Sequence, residues 1–139
     1  MVRTATAICS AAVLVLLAGC SSDGDAAAST KAYCSAVETL QSAATASGGP
    51  SEDSIGATVT SVQAAAKVAP EAVGDDLATV AEGAAKIQAI WAANEYDEAM
   101  VAADPAFEEA AQDPDYRAAH ERVEAYNKAE CGLTYSGGW

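Results

Sequence analysis

The chain has 139 residues, 51% of them hydrophobic and only 6% aromatic, with 20 acidic against 7 basic residues and a net charge of −13. That length suits one domain, and the acidic balance excludes a basic footprint for nucleic acid or a polybasic patch for anionic lipid. Alanine makes up about a quarter of the residues, which favours helices with small contact surfaces and a core of modest burial.

The opening stretch, MVRTATAICSAAVLVLLAGC, reads as an export signal. Arg3 supplies a positive start, and Ala5 to Ala18 is an apolar run too short for a membrane-spanning helix, which needs about 20 residues. Nothing downstream is apolar for as long. Leu17-Ala18-Gly19-Cys20 resembles the bacterial lipobox. That resemblance implies residues 1–19 as a lipoprotein signal peptide and Cys20 as a diacylated, palmitate-bearing N-terminus. Two acyl chains anchor stably where one holds only marginally. The competing expectation is an ordinary secretory signal with Cys20 as a plain residue. With Arg3 removed, six basic residues would face twenty acidic ones, so the mature chain carries −14.

Of the four cysteines, the lipobox resemblance implies that Cys9 leaves with the signal and Cys20 takes lipid. Cys34 and Cys131 remain, and an oxidising compartment favours their disulfide. Residues 20–30 read as the lipidated cysteine and a flexible tether.

The helical domain is expected over 31–132. A first helix from about Lys31 to Ala46 places Tyr33, Val37, Leu40 and Ala44 on one face. Ser47-Gly48-Gly49-Pro50 stops it. Ser51 is a candidate N-cap, with Glu52 and Asp53 complementing the dipole of a second helix. That helix carries Ile55, Val59, Val62 and Ala66 and ends near Ala69-Pro70. Pro70 can open the third helix, whose stripe of Val73, Leu77, Val80, Ala84, Ile87 and Trp91 is the cleanest in the chain. Asn94 to Asp113 breaks at Asp104-Pro105 into two short helical pieces, with Tyr96, Met100 and Phe107 expected inward. Asp113-Pro114 caps and starts the last helix, which places Tyr116, Ala119, Val123 and Tyr126 on one face. It ends at Cys131-Gly132. Residues 133–139 read as a flexible tail. A disulfide between the first and last helices requires an even number of long rods. The expected fold is therefore all-α, an up-down four-helix bundle with a broken connection before its last helix.

Chemistry is sparse. His120-Glu121-Arg122-Val123-Glu124 brushes the zinc-protease spacing but lacks the second histidine. Arg117 replaces the glutamate that a di-iron Glu-x-x-His pair needs. The acidic clusters Asp97-Glu98, Glu108-Glu109 and Asp113/Asp115 lack a calcium-loop pattern and read as a solvated surface. No catalytic residues, metal ligands or cofactors are expected. Trp91, Tyr126, Val80, Val62 and Val123 are the residues expected to line a pocket, if aromatics facing alanines leave a void.

The assembly resembles the small alanine-rich lipoproteins of actinobacterial envelopes. The matching residues are the lipobox, Tyr33-Cys34, Ala69-Pro70-Glu71 with Asp75/Asp76, and Asp113-Pro114-Asp115 leading to Val123, Tyr126 and Cys131-Gly132. The resemblance implies a disulfide-tied helical domain with no catalytic residues to carry over. The expectation is a non-enzymatic binding module on the extracytoplasmic face of the membrane, lipid-anchored, with an envelope protein as partner. The alternative is a carrier of a small apolar or lipid-like ligand.

Overall fold

The computed structural model describes residues 22–46 and 49–134. The lipobox residues Leu17, Ala18, Gly19 and Cys20, and tail residues 135–139, lie outside them. The described residues form six helices: α1 (Ser22–Ala46), α2 (Glu52–Lys67), α3 (Glu71–Ala93), α4 (Glu98–Ala103), α5 (Pro105–Ala111) and α6 (Pro114–Glu130), with no strand among them. The fold is all-α. None of these helices is long and apolar enough to cross a membrane.

α1 packs on α2, α2 on α3, and α3 on α6; α5 also lies on α3, and α6 returns to meet α1. The disulfide Cys34–Cys131 closes that last edge, with Cα atoms 5.3 Å apart and the cysteines 97 positions apart in sequence. The core runs through Tyr33, Val37, Val62, Val73, Leu77, Val80, Ile87 and Val123, all buried. Each such side chain contributes about 1.5–3 kcal/mol by leaving water.

Local chemistry explains the boundaries. Ser51 caps α2 by accepting from the Ser54 N–H, while its own N–H donates to Ser54 Oγ at 2.8 Å. Asp97, Asp104 and Asp113 cap α4, α5 and α6 through their carboxylates. Three residues of the acidic run therefore terminate helices as well as carrying charge. Pro70 stands one place outside α3, at its N-cap, where its extended backbone needs no N–H. Gly132 follows α6 with φ +65°, the left-handed turn that glycine makes without a Cβ penalty.

Three expectations are corrected. The tether expected over 20–30 is helical from Ser22. Ala26-Ala27-Ala28 carry the highest helix propensity, which extends the amphipathic segment backwards. Cys34 therefore lies midway along α1, roughly 18 Å of helix from Ser22 at 1.5 Å per residue. Ser29 Oγ donates to the Val68 carbonyl at the end of α2, tying Ser29 to the bundle. Met100 points outward, 56% exposed, and its neighbour Val101 is buried instead at 1%. The short α4, capped by Asp97, sets a register that the sequence stripe missed by one residue. Two residues of the expected tail are held: Leu133 packs on the core, and Gln41 Nε2 donates to the Thr134 carbonyl.

Candidate functional site

Three places carry chemistry. The first is the core crevice between α1, α2, α3 and α6. Val62, Val80 and Val123 line it together with Tyr33, Leu77 and Asn127, around a cavity of about 40 Å³. A cavity needs about 10–15 Å³ to hold one water, so this void has room for a few waters at most. Two of the expected lining residues are elsewhere. Trp91 sits at the end of α3 with its ring edge-on to Phe107, centroids 6.4 Å apart. Tyr126 meets Tyr33 edge-on at 5.7 Å.

The crevice holds a buried polar pair that the sequence reading did not mark. Tyr33, fully buried, donates its hydroxyl to Asn127 Oδ1 at 2.6 Å, joining α1 to α6 beside the disulfide. Burial, and then the neighbouring Tyr126, push the Tyr33 hydroxyl pKa up to about 12. Asn127 follows Val123 by one helical turn, and that spacing was the available signal.

The second place is an open groove of about 850 Å³ between α3, α5 and α6. Its floor includes Gly83, Ile90, Ala110 and Tyr116. A Cβ on Gly83 would stand 2.5 Å from Tyr116 Cε2 and closer still to Cδ2, so the tyrosine ring occupies the space that only glycine leaves. Arg122 borders the groove and is held by Asp76: its Nε lies 2.9 Å from both carboxylate oxygens and its Nη2 lies 2.7 Å from Oδ1. The Arg122 hydrogen bond holds the Asp76 carboxyl below its ordinary pKa.

The third is the turn from α3 into α4. Glu95 and Tyr96 both take positive φ, +53° and +59°. Such backbone is costly for residues other than glycine and persists where neighbours over-determine it. Here Asn94 Nδ2 donates to the Ile90 carbonyl and to Asp104 Oδ2, each at 2.9 Å. Asp104 is thus held twice, by Asn94 and by the Ala106 N–H, which together keep its carboxyl below the usual range.

His120 Nδ1 lies 3.7 Å from Glu124 Oε1 on one face of α6. Among the described residues, no group of three or more His, Cys, Asp or Glu side chains is arranged to hold a metal ion. Comparison with protein families, with curated proteins and with solved structures finds no match to this chain.

Proposed function

We propose that the protein is a lipid-anchored lipoprotein of the cell envelope that works by binding a protein partner, not by catalysis. In this reading Cys20, in its Leu17-Ala18-Gly19-Cys20 context, carries the acyl chains, and the domain stands on the extracytoplasmic face of the membrane. α1, α2, α3 and α6 act as an up-down four-helix bundle, with α4 and α5 as the broken connection. The packing order of those four helices and the Cys34–Cys131 closure favour that arrangement.

One observation weighs binding at the surface against carriage in the core. The cavity where Val62, Val80 and Val123 meet is about 40 Å³, while sites for drug-sized ligands span about 300–1,000 Å³. A lipid-like molecule would have to displace packed side chains, whereas the α3/α5/α6 groove is open at about 850 Å³.

The test is Cys20→Ser in the exporting host. The account expects loss of palmitate labelling and release from the membrane fraction. It also expects loss of the crosslinks that a photoreactive residue at Glu98 forms with envelope proteins. Membrane association unchanged in Cys20→Ser, together with no palmitate on the natural chain, would overturn it.

A further inference from the structure

We infer that the α3/α5/α6 groove is a docking site for a short basic peptide segment of the partner, one in which lysine or arginine flanks an apolar side chain. The inference rests on the binding reading above and names the surface that performs it.

The groove has the two properties such a segment needs. Its floor offers apolar groups: the half-buried Ile90 of α3, the edge of the Tyr116 ring seated over Gly83, and Ala106 and Ala110 of α5, which present only methyl groups. One apolar residue can therefore pack on Ile90 and the α5 methyl groups. Its rim is acidic. Glu82 of α3, Glu109 of α5, and Asp113 and Asp115 at the start of α6 all line it. Of the two lining cations, Arg122 is bound to Asp76 and is also attracted by Asp115, which leaves Lys86 against Glu82, Glu109 and Asp113. Asp113 uses Oδ1 to cap α6, and its second oxygen is not engaged in that cap. The surroundings reinforce the sign: residues 94–115 hold eight carboxylates and no lysine or arginine. Charge complementarity of this kind selects the partner and speeds encounter more than it adds affinity. The volume of about 850 Å³ matches a few residues of chain, and its open form favours a peptide over an enclosed small molecule.

The experiment uses the intact chain in non-ionic detergent and a fluorescein-labelled peptide alternating lysine and leucine, with a glutamate–leucine peptide and spermine as comparisons. Fluorescence anisotropy should show the lysine peptide binding at least tenfold more tightly than either comparison, and more weakly as salt rises. The double reversal Glu82→Lys/Glu109→Lys should weaken it at least tenfold. Glu38→Lys/Glu130→Lys, which makes the same change in net charge away from the groove, should change it less than twofold; far-UV circular dichroism checks that both variants fold. Equal losses in the two variants would show attraction to net charge and overturn the groove. Spermine binding as tightly as the peptide would overturn the apolar floor. The broader reading is judged separately: crosslinks to envelope proteins that survive Glu82→Lys/Glu109→Lys would overturn the groove and retain an adaptor that binds elsewhere.

Discussion

Removing the disulfide is the perturbation whose size follows most directly from the structure. Cys34 and Cys131 close a loop across 97 positions. Cross-linking a loop of about 100 residues lowers the entropy of the unfolded chain by an amount worth about 4.7 kcal/mol. Domains of this size are stable by only about 5–15 kcal/mol in total, and an alanine-rich core favours the lower part of that range. The folded state offers little to offset the loss. Besides the sulfurs, the α1–α6 edge is joined by the Tyr33–Asn127 hydrogen bond and the Tyr33–Tyr126 ring contact, while α1 and α6 rest mainly on α2 and α3. In Cys34→Ala/Cys131→Ala, the urea midpoint followed by far-UV circular dichroism should fall by about 1.5–4.5 M, for a slope of about 1–3 kcal/mol per molar. Amide exchange should accelerate first in α1 and the last turns of α6, before α2 and α3. A loss below about 1 kcal/mol, with exchange unchanged at that edge, would refute the reasoning. It would mean that packing alone holds the ends together.

Two glycines of α3 should respond oppositely to the same change. Gly74→Ala meets nothing within 4 Å and should stabilise by up to about 1 kcal/mol through helix propensity. Gly83→Ala drives a methyl into the Tyr116 ring and should destabilise by about 1–3 kcal/mol, less so in a Tyr116→Ala background; thermal melts of the single and double variants read both. Asn127→Ala leaves the Tyr33 hydroxyl buried without its acceptor and should cost about 1–3 kcal/mol in urea unfolding. Because the folded Tyr33 pKa is raised to about 12 from 10.0, the native state holds the proton longer than the unfolded chain. Stability is then fully present below pH 10 and declines as pH rises toward 12, and Tyr33→Phe should flatten that decline. Asp104, lowered by Asn94 and the Ala106 N–H, has the opposite sign: its contribution is present above the ordinary carboxylate range and fades as pH falls through the lowered value. Exchange in α4 and α5 should therefore rise in acid, and Asp104→Ala should produce the same loosening at neutral pH.

The parts of this fold that were legible in the sequence are those governed by local chemistry. The seven-residue recurrence through Val73, Val80 and Ile87 marks α3, and Asp113-Pro114 with Cys131-Gly132 brackets α6 to the residue. Asp104-Pro105 splits the connection where expected because proline at the first position of α5 interrupts the preceding turn. The start of α1 was misread because serine, aspartate and glycine look like a tether, whereas the alanine triplet and the anchoring of Ser29 on α2 decide for helix. Met100 and Val101 exchanged roles because six residues are too few to show a period. The groove was not legible at all: Glu82, Glu109 and Asp115 belong to three helices and share a rim only after packing. Gly83 gave the one local hint, a glycine inside a strong helical stripe, and the ring that fills its space comes from residue 116.

The central claim is that the core is filled and the protein binds through its surface. Native mass spectrometry of the chain exported by its own host, compared with the same sample denatured, tests it most directly. The account predicts one mass under both conditions, two hydrogens lighter than the reduced chain and with no small molecule attached. An added mass that disappears on denaturation, and that is lost when Val80→Trp fills the crevice, would contradict it and make the core the binding site.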